Sequence, residues 1–224
     1  LSVTPGDPLE ADAGVDTAGL DEDTPPEDDA EDDPTAPVTA VDLTGRVYGI
    51  TLANLDVVEP PGVGALLAQE VDRDLLVYVA EETAASLTFA VALAAANGAQ
   101  DPCETVRTFP VADWSDNPYF VAGPGVLEAS FGGSPASFRD LELTGTFDAD
   151  GGAWREGTLS AELDTRELAP ALGGLGDLCE LLADLGGTCE PCGDGADACF
   201  TLRVEDVVAT QRSTSFDIDP SCAG

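Results

Sequence analysis

From Leu141 to Asp164 the chain alternates. Leu141, Leu143, Gly145 and Phe147 fall on one face, and Glu142, Thr144, Thr146 and Asp148 on the other. After "DADGG" (148–152) the pattern resumes, with Leu159, Ala161 and Leu163 set against Thr158, Ser160, Glu162 and Asp164. Successive side chains of a strand point to opposite faces, so a sustained period of two reads as strand, not helix. Two such strands around a Gly-rich turn make a β-hairpin with one buried and one wet face.

The same signal recurs on both sides. "LTGRVYGITLA", "DLLVYVAEE" and "ASLTFAVALAAANG" are rich in Val, Ile, Thr and aromatic residues, and in the last of these Leu87, Phe89, Val91 and Leu93 share a face. "VLEASF" places Leu127, Ala129 and Phe131 in phase, and "FTLRVEDVVATQ" directs Phe200, Leu202 and Val204 inward. Between them, Pro102, Pro110, Pro118 and Pro124 are expected to break any long element, because proline lacks an N–H and fixes φ. One region reads as helical: Leu168, Leu172, Leu175, Leu178, Leu182 and Leu185 recur at three- and four-residue steps. "GGLG" (173–176) should split it into two short helices, with Gly186 as a C-terminal cap. A weaker helical turn is expected in "GVGALLAQEV" (62–71). The expected fold is mainly β: an antiparallel sandwich or open barrel with two or three short helices, stapled by disulfides.

This domain is expected over residues 41–224. Residues 1–40 carry thirteen acids and no base, with repeated Pro, Thr, Ala and Gly and no apolar period. Such a segment cannot bury enough apolar surface to offset the entropy of ordering it, so it is expected to be a disordered acidic spacer.

The whole chain of 224 residues has 44 acids, 8 bases and a net charge of -36. All the bases are arginine, and there is no lysine, histidine or methionine. No basic patch exists to displace counterions from nucleic acid, and an anionic membrane surface would repel the domain. Self-repulsion points to a soluble monomer. Without histidine there is no Ser-His-Asp arrangement, and without lysine no Schiff base and no P-loop. Carboxylate pairs remain, so a carboxylate-based hydrolase is the enzymatic alternative to a non-enzymatic chain. The first residue is Leu, not Met, which leads to the expectation that an N-terminal segment has been removed.

Six cysteines stand at 103, 179, 189, 192, 199 and 222, three of them in "CEPCGDGADAC". Cys179, Cys189, Cys192 and Cys199 could hold zinc, but a second CxxC-like pair is missing. The CxxC is flanked by glycine and acids with no cation, the wrong surroundings for a low-pKa redox thiol. An even count in an acidic, lysine-free chain favours disulfides and an oxidising compartment. The four clustered cysteines are expected to pair among themselves, leaving Cys103 for Cys222.

For metals, Asp148 and Asp150 in the hairpin turn are candidate Ca²⁺ ligands, although the EF-hand pattern wants an acid or amide where Gly152 stands. A tight turn explains the same residues. Asp194 and Asp197 in the cysteine loop carry the same ambiguity. No other cofactor is expected.

"GTFDADGGAWREGTLSAELDTRELAPAL" and "CELLADLGGTCEPCGDGADACFTLRVEDVVA" resemble segments of uncharacterised predicted lipoproteins of high-GC, myxobacteria-like bacteria. The resemblance covers about a third of the chain, transfers no active site, and implies a secreted or lipid-anchored location. The anchoring cysteine would lie just before Leu1. The resulting expectation is a non-enzymatic binding or structural module of the cell envelope, periplasm or cell surface, or a secreted one. The alternative is a carrier of a small apolar ligand, motivated by "LTFAVALAAA" being apolar on both faces. A carrier needs a hollow of at least ~300 Å³.

Overall fold

The computed structural model describes residues 41–65, 73–101, 103–131, 134–170 and 177–218. The expected spacer, Cys222 and most of the 62–71 turn lie outside them. The chain runs through β1 (Val47–Thr51), a 3-10 turn (Leu52–Asn54), β2 (Asp56–Glu59), β3 (Asp74–Glu82) and β4 (Ser86–Leu93). It continues through β5 (Arg107–Thr108), β6 (Ala112–Asp113), β7 (Tyr119–Phe131), β8 (Ser134–Phe147) and β9 (Ala153–Asp164). Two short helices come next, α1 (Thr165–Leu168) and α2 (Leu178–Asp184), and then β10 (Glu190–Pro191) and β11 (Asp197–Arg212).

All pairings are antiparallel, and the sheet closes on itself. Eight strands stand in the order β1-β3-β4-β6-β7-β8-β9-β11, and β11 returns to β1. Closure goes further than an open barrel or sandwich, and β11 is what achieves it. One edge of its 16 residues pairs with β9. The other is divided among β10 near Cys199, β2 near Val204, and β1 at its end, where Val47 lies opposite Arg212 and Gly49 opposite Thr210. A closed barrel leaves few unpaired strand edges.

Three residues bend these long strands. Asp140, Glu156 and Asp206 have φ of 49, 52 and 52°, one each in β8, β9 and β11. The ladders slip at the same places. Each is a β-bulge, which adds a residue and reverses the inward and outward phase of the strand beyond it. Val204 faces inward, and after the bulge the inward set becomes Val207 and Ala209. Pro124 departs from the expectation that it would end an element. It lies inside β7 where the register against β8 shifts between Ala122 and Gly125, so no ladder donor is demanded of it. Gly123 beside it has φ +116°, and a Cβ there would sit 2.2 Å from the Leu141 carbonyl oxygen.

The barrel interior is aromatic. Phe120 stacks on Trp154 at 4.7 Å, Phe89 meets Phe120 edge-on at 5.2 Å, and Trp114 and Tyr48 meet the Phe147 ring at 5.5 and 5.4 Å. Gly145, in phase with Leu141, Leu143 and Phe147, makes room for this cluster: a Cβ would come within 2.6 Å of the Trp154 ring. Leu182 of α2 joins the core together with Leu163 and Phe200. The helix has well-defined ends. Asp177 caps its start by accepting from the Cys179 N–H at 2.8 Å. At the other end Gly186 (φ +89°) donates to Ala183 and Gly187 to Leu182, the paired bonds of a Schellman motif.

Candidate functional site

The cysteine-rich segment closes the end of the barrel where β9 finishes and β11 begins. Cys179 bonds Cys189 and Cys192 bonds Cys199, with Cα separations of 5.6 and 5.0 Å. The two cysteines of the CxxC therefore go to different partners. No dithiol pair forms within the motif, and all four thiolates of the zinc alternative are consumed. Cys103 is also disulfide-bonded, and Cys222, its expected partner, lies outside the described residues. The two bridges differ in setting. Cys192 and Cys199 are buried, whereas Cys179 and Cys189 are half-buried.

Asp164, at the end of β9, is the one buried acid among the described residues. Its carboxylate accepts from the Arg166 N–H at 2.9 Å and from the guanidinium at 2.6 Å, so it caps α1 and pairs with an α1 side chain at once. Arg166 also reaches Asp194 in the cysteine loop at 2.9 Å. The Arg166 guanidinium holds both carboxyls below the usual carboxylate range. Asp164 lies within 4.8 Å of the sulfurs of Cys192 and Cys199. Those sulfurs are bonded to each other, so the group is a charged clasp around a buried disulfide. A hydrolase would want two desolvated carboxylates facing one cleft; here the acids face an arginine from two sides.

At the opposite end, Asp148 and Asp150 sit in the β8–β9 turn. Arg155 Nε pairs with both oxygens of Asp148 at 3.2 Å, and Asp150 Oδ1 accepts from the Gly152 N–H at 2.8 Å. The backbone carbonyls of the turn are also engaged. Arg46 donates to those of Asp150 and Gly151 at 3.0 Å, and the Tyr48 hydroxyl donates to Gly151 at 2.8 Å. Burial pushes the Tyr48 phenol up to about 12. The two carboxylates proposed from sequence as calcium ligands thus have protein partners that account for their positions. Asp194 is taken by Arg166, and Asp197 is exposed at the start of β11.

Two polar atoms are buried without a partner among the described residues, Trp154 Nε1 and Asn117 Oδ1. Trp154 lies in the aromatic interior, the place a carrier would use. On the outside, an open hollow of about 280 Å³ lies between the Asn97–Ala99 turn and Arg212–Thr214, where Arg212 pairs with Asp74 at 3.0 Å. Every arginine of the chain has an acceptor: six pair with carboxylates, Arg46 with carbonyls, and Arg107 with the Glu128 carbonyl. Arg46 and Arg107 hydrogen-bond neutral carbonyls and keep their charge, but with 31 acids against eight arginines over residues 41–224 the net charge of the domain is strongly negative.

Sequence periodicity did not reveal a C-terminal strap, residues 213–218, that lies on the outer wall. Its one aromatic, Phe216, stacks on Tyr78, and a lone Phe in a polar stretch was the only signal. No protein-family model, curated protein or solved structure matches the chain.

Proposed function

We propose that this chain is a non-enzymatic module of the cell envelope or a secreted one, acting through its outer surface. The observation that carries this reading is the occupied interior. Phe89, Phe120, Phe147 and Trp154 stack across the barrel, and Gly145 is needed to admit them. The oxidised cysteines support an oxidising compartment. No helix among the described residues is long and apolar enough to cross a membrane. The resemblance to predicted lipoproteins supports a secreted or lipid-anchored location.

A carrier of a small apolar ligand is the second reading, favoured by the unpartnered Trp154 Nε1 in the interior. A neutral, fluorescent apolar probe, N-phenyl-1-naphthylamine, separates the two. A filled barrel should give no saturable increase in dye emission and no quenching of tryptophan fluorescence. Saturable, stoichiometric binding with tryptophan quenching would overturn the outer-surface reading in favour of the carrier.

A further inference from the structure

The outer wall of a barrel normally faces water, yet one sector here is dry. Val47 and Leu76, whose neighbours Tyr48 and Val77 point inward, are 3% and 0% exposed. With Ala94 they form a second apolar cluster, apart from the core, packed with Tyr78 and Phe216. The cover is the strap. Phe216 lies parallel on Tyr78, ring centres 5.0 Å apart and planes within 2°. Gln100 grips the backbone of the next residue: Gln100 Nε2 donates to the Asp217 carbonyl at 2.8 Å, and Gln100 Oε1 accepts from the Asp217 N–H at 2.6 Å.

A side-chain carboxamide that grips both polar groups of one residue acts as a short piece of strand edge. It selects extended backbone without reading the side chain. The grip is firm because the loop presenting Gln100 is braced. Arg73 donates to the Ala94 carbonyl at 2.7 Å and pairs with Asp101 at 2.9 Å and Glu104 at 2.8 Å. The isolated bridge between Ala94 and Gln100 completes the platform. Side-chain selectivity comes from the aromatic that stacks on Tyr78 over the Leu76 and Val47 floor.

We propose that Tyr78 and Gln100 form a peptide-docking site on the outer wall, and that residues 213–218 fill it in cis. The partner it fits is an extended peptide with an aromatic residue followed by one whose backbone Gln100 can grip. The strongly acidic surface favours partner peptides that are neutral or basic elsewhere. The site rests on the outer-surface reading and is tested separately from it. The dye reports on the interior, the peptide on the wall, and either can fail alone.

The test uses the full-length chain carrying Phe216→Ala, whose own strap no longer supplies the aromatic. The probe is a synthetic hexapeptide of the sequence 213–218 with acetylated and amidated ends, titrated by calorimetry. Binding to the Phe216→Ala chain should saturate. It should be at least about tenfold weaker to the unaltered chain, whose site is filled. Adding Gln100→Ala to the Phe216→Ala chain removes two hydrogen bonds and should weaken binding by about tenfold. A hexapeptide with Ala in place of Phe should not bind. Failure of the hexapeptide to bind the Phe216→Ala chain, or equal affinity for the Ala-containing peptide, would overturn the proposal. A readout independent of any variant is hydrogen exchange on the unaltered chain. The Asp217 amide should exchange through local opening, well before β8 and β9. An Asp217 amide that exchanges only with the whole barrel would equally sink it.

Discussion

Asp164 combines three duties that sequence alone could not assign to it. In the alternation it reads as the last polar residue of a strand. In the structure it is buried, it caps α1 through the Arg166 N–H, and it anchors the guanidinium that reaches across to Asp194. The direction of its shift sets the pH dependence. The Arg166 hydrogen bonds hold the folded-state carboxyl below its unfolded value of ~3.9. A depressed pKa contributes stability that is present above the unfolded value and is lost as pH falls through the folded one. Asp164→Asn keeps an oxygen for the cap but removes the charge. Urea unfolding should find the variant less stable than the parent at pH 7. The gap should narrow once the pH falls below about 4, as the parent's carboxyl protonates. A gap that stays constant from pH 7 to pH 2.5 would mean that shape, not charge, is what Asp164 contributes.

At the scale of elements, the bulges in β8, β9 and β11 explain both the closed barrel and the limit of what alternation shows. Glu156 is exposed and adopts φ 52° in β9. The left-handed region costs a residue with a Cβ roughly 1–2 kcal/mol, part of which glycine avoids. Glu156→Gly should therefore stabilise the domain, or at worst leave it unchanged, and Glu156→Val should destabilise it by at least ~1 kcal/mol. Chemical denaturation of the two variants checks this. A more stable Val than Gly variant would mean that the bulge relaxes into regular strand. The elements themselves were legible. Leu141 to Phe147 and Leu159 to Leu163 face inward as their period of two requires, and two short helices, α1 and α2, form within the leucine repeat with Gly186 at the cap, while the expected break at 173–176 lies outside the described residues. That the four clustered cysteines pair among themselves was also legible, because four cysteines within 21 residues can hardly reach elsewhere, but which bonds which was not. The phase changes were not. An acid in the left-handed conformation looks in sequence like any solvent-facing residue, so nothing marks Asp140, Glu156 or Asp206 as the point where inward becomes outward. Pro124 misled for a related reason, since a bulge cancels the missing donor that makes proline a breaker elsewhere. The docking site needed tertiary structure outright: Tyr78, Gln100 and Phe216 are far apart in sequence and share no pattern.

At the scale of the whole molecule, charge is the dominant unbalanced quantity. Residues 41–224 hold 31 acids against eight arginines, and those arginines are already committed to acceptors. Two effects of added salt then oppose each other. Screening weakens the ion pairs, but most of these have side chains about a third or more exposed, and such pairs contribute about 0–1 kcal/mol each. Screening also relieves repulsion among the unpaired carboxylates, which acts over the whole surface and grows on compaction. The screening length falls from ~30 Å at 0.01 M to ~3 Å at 1 M, so at the low end every acid feels most of the others. Repulsion should therefore win, and the melting temperature should rise steadily from 0.01 to 1 M sodium chloride. Potassium chloride should give the same curve, because screening depends on ionic strength and not on which monovalent cation supplies it. Calcium separates a general effect from a local one. If the 148–152 turn is only a turn, millimolar calcium chloride should raise the melting temperature no more than magnesium chloride does at equal concentration. Asp150→Asn should leave that comparison unchanged. A calcium-specific rise that Asp150→Asn abolishes would restore Asp148 and Asp150 as a binding site. A melting temperature that is flat or falls with sodium chloride would show instead that the ion pairs, and not the excess of acid, set the stability of the barrel.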